Sequence, residues 1–351
     1  MSSRLTYAMA RPLLSEALQR LVATGTTVMA PCRLPPGDVF FQPVASASEA
    51  ALDYGNTLIS PASVLFPARE EVFRVRMDAA EGPQVVSELP QPNQVIFGLR
   101  PCDVAAIAYL DRFFLEGPYS DSLYEARRRN TRLVALACEK PAHEHCFCSC
   151  CEAGPVAKSG YDVQLSPAGD VILVEVGSEE GAVLIQAWAD MLSPASPDLI
   201  ASRDEAATEL QTQLQDRANM PAAIRRVTGE AVPEEVWETI GERCMACSSC
   251  SLVCPKCSCF HVVDEIEDDG TVARVRRWDS CRLAGFTREA SGFNPREAPS
   301  ARAGRYSYHK LSYRYIEING VHGCVGCGRC AIVCMGAVDM PHVAQMIRRG
   351  V

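Results

Sequence analysis

Four cysteines, Cys244, Cys247, Cys250 and Cys254, stand at C-x2-C-x2-C-x3-C, and Cys324, Cys327, Cys330 and Cys334 repeat that spacing. A 4Fe-4S cubane needs four thiolates converging from tetrahedral directions. Three from a tight turn supply one side, and the fourth, at the start of a helix, typically crosses to a second cluster. The expected ligand sets are therefore Cys244, Cys247, Cys250, Cys334 and Cys324, Cys327, Cys330, Cys254. CxxC pairs also bind zinc, but structural zinc sites rarely carry three cysteines at x2 spacing plus a fourth at x3, and here the pattern occurs twice. Pro255 follows the first run and Met335 the second. The residue after the last cysteine shapes only the exit of the chain, so cluster binding is expected in both.

The chain holds 18 cysteines among 351 residues, a length at which a core forms without covalent staples. Disulfides need an oxidising compartment. The apolar residues of Met1 to Pro31 are interleaved with Arg4, Arg11, Glu16 and Arg20, and no compact apolar segment precedes a small-residue cleavage site. That pattern predicts an amphipathic opening helix and a reducing, cytoplasmic setting, where clustered cysteines serve as metal ligands. No run reaches the roughly 18 to 20 apolar residues of a spanning helix, so no membrane span is expected. A net charge of -9 with a pI near 5.3 argues against nucleic acid as partner.

The first half alternates strand-like and helical patterns, which predicts an α+β or α/β domain over 1–225. Val39 to Val44, Val72 to Met77, Val95 to Leu99 and Leu133 to Ala137 read as strands. Tyr161 to Leu165 and Val171 to Val176 read as a hairpin across Ser166 to Asp170. Gly181 to Met191 and Glu205 to Ala218 read as helices. A connection over Met220 to Pro233 leads into an α-helical two-cluster ferredoxin domain, placed at 226–351. Roughly seventy residues separate Cys254 from Cys324, more than a compact ferredoxin uses, so this domain carries an insertion.

Two predicted strands each run into a cysteine, Cys102 and Cys138, and sites in such sheets gather at the carboxyl ends of strands. A polar, irregular segment follows with His143, His145, Cys146, Cys148, Cys150 and Cys151. Cys102, Cys138, Cys146 and Cys148 together make a third four-thiolate site; the alternative is that Cys102 and Cys138 are small buried hydrophobes beside an exposed loop. A solvent or supporting role fits His143 and His145 better than ligation. Cys257, Cys259 and Cys281 flank the first run, as further metal ligands, redox thiols or packed thiols lining the cluster pocket. Arg243, Lys256 and Arg329 adjoin ligands, where positive charge would raise a cluster's potential.

Neither G-x-G-x-x-G nor G-x-x-x-x-G-K-[ST] occurs, so no dinucleotide fold or P-loop is indicated, and no hydrolytic constellation is present. No residue is singled out as catalytic, and the chain reads as wiring. Two rival readings are a catalytic thiol among Cys257, Cys259 and Cys281 that attacks polysulfide or sulfite, and a scaffold whose clusters serve structure alone.

These residues resemble the iron-sulfur beta subunit of cytoplasmic NiFe hydrogenases (sulfhydrogenases) and the related iron-sulfur subunit of anaerobic sulfite reductase. The likeness runs from about Phe40 to about Met340. It rests on Cys102-Asp103, Cys138 with Cys146-Phe147-Cys148, Val174-Glu175-Val176-Gly177, the two ferredoxin runs, Cys257 with Cys259, and Arg276-Arg277-Trp278-Asp279-Ser280-Cys281. The last segment is more similar to the hydrogenase branch. Met335, Lys256 and the pair Cys150-Cys151 depart from the family pattern. The resemblance implies a cluster chain between a flavin subunit, which carries FAD and exchanges electrons with NAD(P)H, and a catalytic module. That module is the small and large subunits of a NiFe hydrogenase or, in the other branch, a sirohaem sulfite reductase subunit.

Overall fold

The computed structural model describes residues 5–78, 81–215 and 217–350. Among them, eight strands build one sheet: β1 (Thr6–Ala10), β2 (Thr27–Arg33), β3 (Val39–Val44), β6 (Gln94–Leu99), β7 (Thr131–Leu136), β8 (Val163–Ala168), β9 (Val171–Val176) and β10 (Ser193–Pro194). Four more build a second: β4 (Arg69–Asp78), β5 (Gly82–Val86), β11 (Phe260–Ile266) and β12 (Val272–Trp278). The first sheet has the order β10-β1-β9-β8-β7-β6-β2-β3, with β2, β6, β7 and β8 parallel at its centre. Parallel strands are covered on both faces, and alternate residues must serve opposite cores. Val95, Phe97, Val134 and Leu136 enter one core with Leu18 and Trp188, while Ile96, Leu133 and Ala135 enter the other with Ile107 and Leu110. Helix α1 (Leu14–Ala23) covers the first side; α2 (Pro101–Leu115) and α3 (Ser122–Arg129) cover the second.

The strands expected near 39, 72, 95, 133 and 171 are present, and the hairpin turns at Gly169-Asp170 because β8 extends to Ala168. The opening segment differs from expectation. Thr6–Ala10 is a strand, Leu14–Ala23 is the helix and Thr27–Arg33 is a strand; Met1 to Arg4 lie outside the described residues. Five-residue β1 has no alternation of its own to announce it. Its pairing with β9, from Thr6 opposite Glu175 to Ala10 opposite Val171, decides its conformation. Gly181 to Met191 splits into α4 (Glu179–Leu184) and a 3-10 turn over Ile185–Met191, and α5 spans Pro197–Gln215.

The C-terminal part gathers α6 (Met220–Thr228), α7 (Glu234–Arg243), α8 (Ser249–Leu252), α9 (Pro299–Leu311), α10 (Tyr313–Asn319), α11 (Arg329–Val333) and α12 (Met340–Arg349) around a core of Ile240, Tyr306, Leu311, Val343 and Ile347. Residues 220–228, expected as a connection, thus form a helix capped by Asn219, whose side chain accepts from the Ala222 N–H. The wholly helical description also needs correction. The insertion between the cysteine runs opens with the hairpin β11–β12, which extends the sheet begun by β4 and β5. Glu70 on β4 and Arg276 on β12 form a buried ion pair, extended to Arg127 and Asp121 of α3 and its cap. Removing one member of such a network leaves an uncompensated buried charge, so the insertion is fastened to the N-terminal half. No described helix is long and apolar enough to cross a membrane.

Candidate metal centres

The two C-terminal runs share one backbone. In the first, Ala246 and Ser248 take φ of 50° and 65°; in the second, Gly326 and Gly328 take 62° and 74°. Each left-handed turn aims an N–H back at the leading sulfur: Ala246 N donates to Cys244 Sγ and Gly326 N to Cys324 Sγ, both at 3.4 Å. Backbone donors of this kind favour a thiolate over a thiol. The Val338 N–H likewise donates to Cys334 Sγ at 3.3 Å. Cys250 lies in the field of Cys244 and Cys334, and Arg282 acts on Cys244, Cys247 and Cys250 together. Cys254 sits with the other run, acting on Cys324 and Cys327, while Cys324 and Cys327 act on Cys330. Cys334 therefore lies in the field of Cys250, and Cys254 in that of Cys324 and Cys327.

The N-terminal cysteines converge at one end of the parallel strands. β6 and β7 are adjacent and parallel, so the chain leaves both at the same edge, with Cys102 opening α2 and Cys138 just beyond β7. Cys102, Cys138, Cys146 and Cys148 line one pocket, together with Arg100, Gly154, Leu214 and Cys327. Burial pushes the Cys138 thiol up to about 11 and raises Cys102, Cys146 and Cys148 as well. These thiols are protonated when bare, so loading a metal group must release protons. Arg100, whose guanidinium donates to Gly55 O at 2.8 Å, supplies a positive field at Cys138.

The supporting histidines lie elsewhere. His143 Nε2 meets the Cys327 carbonyl at 2.9 Å, and His145 is exposed beside Glu144. Phe147 N donates to Gly326 O at 2.9 Å, so the 143–148 segment presses on the second run. A Cβ on Gly326 would stand 2.5 Å from Phe147 O, and one on Gly328 would stand 2.5 Å from His145 O. Cys327 thus belongs to the second run while facing the N-terminal cavity.

Two of the three cations named by sequence stand near sulfur, Lys256 beside Cys254 and Cys324 and Arg329 beside Cys102 and Cys327. Arg243 is exposed. Lys256 is buried, donates to His322 O and lies 4.0 Å from the Tyr109 ring centroid. Arg329 is buried and pairs with Asp103 at 2.8 Å, next to Cys102. Sequence reading missed two. Arg282 Nη2 donates to Cys244 Sγ at 3.1 Å, and Lys310 Nζ donates to Cys254 Sγ at 3.2 Å. A trace of Lys310 was present, since it continues the buried stripe Ala303, Tyr306, Ser307 of α9 where an apolar residue belongs. Arg282 had no such trace.

Among the described residues neither Arg282 nor Lys310 has a carboxylate within ion-pair distance, yet only 3% and 4% of their surfaces are exposed. A buried charge of this kind needs a negative partner. Among the described residues both cations meet a cysteine sulfur and the face of the Tyr306 ring, which fits thiolates bonded to iron. No three His, Cys, Asp or Glu side chains among the described residues meet closely enough to hold a single metal ion; a cubane is bonded through four separate irons, so its thiolates stand apart.

Residues 243–338 match the family model described as a 4Fe-4S dicluster domain. Over 311 residues the chain is 28% identical to sulfhydrogenase 2 subunit beta of Pyrococcus furiosus, an alignment that covers 88% of this chain and 89% of the relative. The duplicated cysteine loops, the buried cations on their sulfurs and this likeness along most of the sequence fit an iron-sulfur beta subunit of a hydrogenase.

Proposed function

We propose that this chain is an electron relay holding three 4Fe-4S clusters. Cys244, Cys247, Cys250 and Cys334 hold the first, Cys254, Cys324, Cys327 and Cys330 the second, and Cys102, Cys138, Cys146 and Cys148 the third. The observation that carries the reading is the pair of buried cations, Lys310 and Arg282, whose partners are cysteine sulfurs. A bound 4Fe-4S cluster supplies reversible one-electron transfer. The chain's own residues orient the sulfurs, exclude water and set the electrostatic field. Lys310 and Arg282 favour the more negative, reduced state of the group beside them, and the Arg329–Asp103 pair stands between the second and third sets.

The two ends of this line suit different neighbours. The first set is open, with Cys247 exposed and Met245 (65% exposed), Met335 (82%), Ile332 (51%) and Leu252 (40%) around the two runs. Exposed apolar groups collected in this way suit a protein partner. At the other end Cys138 borders an open cleft with Arg11, Glu139 and Lys140 at its mouth. The partners in this reading are a flavin-containing NAD(P)H oxidoreductase subunit, with FAD and NAD(P) bound there, and the small and large subunits of a NiFe hydrogenase, all in the cytoplasm. Anaerobic purification of the chain with its neighbours tests this. A complex with a flavoprotein and a nickel-containing subunit is expected; a complex with neither sinks the assignment of partners.

A further inference from the structure

Twelve of the eighteen cysteines enter the three proposed sets, and two of the remainder form a pair of their own. The register of the insertion hairpin brings them together. Phe260 pairs with Trp278, and Asp279 N donates to Cys259 O at 2.9 Å, so the chain leaving β12 turns Cys281 against Cys259. The two thiols act on each other electrostatically. Cys257, two residues away, donates its N–H to Cys254 O at 3.1 Å, and the Lys310 ammonium acts on Cys254, Cys257, Cys259 and Cys281 alike. Cys259 also lines a small cavity with Cys254, Cys257 and Asp279. Asp279 Oδ2 meets His261 Nδ1 at 3.0 Å, and His261 is exposed, which gives protons from the cavity a path to solvent.

We propose that Cys259 and Cys281 form a reversible disulfide that exchanges electrons with the 4Fe-4S cluster at Cys254, making the insertion a two-electron store beside a one-electron line. On oxidation the two S–H bonds break and one S–S bond forms. Two protons leave past Asp279 and His261, and two electrons leave one at a time, for which a 4Fe-4S cluster held at Cys254 would be the one-electron acceptor. Reduction reverses each step: two electrons and two protons regenerate two thiols. This inference rests on the relay reading. It gives that reading what a line of one-electron carriers lacks, a place to hold an electron pair.

The test uses the full chain, purified without oxygen and retaining its iron. Aliquots poised over a range of potentials are quenched with N-ethylmaleimide, digested and weighed, with iron counted in each. The expected result is a Cys259–Cys281 linked peptide that appears along a two-electron Nernst curve while iron stays constant. Cys281→Ser is expected to abolish the link, leave Cys259 open to alkylation at every potential and retain the iron of the parent chain. Full iron with both thiols alkylated at all potentials overturns the proposal alone. Loss of about four irons in Cys281→Ser also overturns it, by making the residue a cluster ligand. A parent chain without iron overturns the relay reading and this inference together.

Discussion

The two cysteine runs have the same spacing and the same backbone, yet one uses Ala246 and Ser248 where the other uses Gly326 and Gly328. All four positions have positive φ, a conformation that disfavours a Cβ by roughly 1–2 kcal/mol. The first run bears that strain with Cys247 exposed and Ser248 buried beside it. The second cannot accept a Cβ, because one added there would fall inside van der Waals distance of the 143–148 segment. Glycine here marks the contact between the ferredoxin loop and the N-terminal cysteine site. The open run suits exchange with a partner, and the enclosed run suits passage between sites within the chain.

Ligand substitutions break the comparison most severely. Cys330→Ser, in the enclosed run, is expected to lose about four irons per chain and to lower stability, because Cys330 is part of the helical core. Cys247→Ser, at the open end, is expected to lose the same amount of iron with little change in the fold. Iron analysis alongside anaerobic denaturation separates the two. Next in size are the glycines. Gly328→Ala is expected to destabilise by about 2–3 kcal/mol through strain and overpacking, whereas Ser248→Gly should be neutral or stabilise by up to about 1 kcal/mol. Equal effects at the two positions would show that the 143–148 contact is unimportant.

Smaller effects sharpen the electrostatic side. Lys310→Met removes a buried charge that favours the reduced cluster, so the potential of the second cluster should fall by on the order of 50 mV. Arg282→Met should lower that of the first by on the order of 20 mV, because water at the Cys247 end screens the field. EPR-monitored titration reads both. His145→Ala should leave all potentials unchanged, since its side chain faces solvent beside Glu144.

What the sequence announced and what it hid follow from the range of the interactions. Ligand spacing is local chemistry, so the nearness of Cys334 to Cys250 and of Cys254 to the second run could be anticipated before any fold. The meeting of Cys102, Cys138, Cys146 and Cys148 was legible because two neighbouring parallel strands end in a cysteine each. The strand over Thr6–Ala10 was not, since its partner β9 lies more than 160 residues away in sequence. The hairpin over Phe260–Trp278 lay inside an insertion to which no secondary structure was assigned, and its fastening by Glu70 and Arg276 depends on a contact 206 residues apart. Arg282 and Lys310 act through folded proximity to sulfur, which no spacing rule contains.

The central claim is that twelve sulfurs of this chain hold three cubanes in line. Iron and acid-labile sulfide counted in anaerobically purified protein, with EPR of the dithionite-reduced sample, test it most directly. The account predicts about twelve irons and about twelve sulfides per chain, with signals of interacting reduced clusters. Zinc in place of iron, or fewer than about eight irons with the remaining cysteines as free thiols or disulfides, would contradict it.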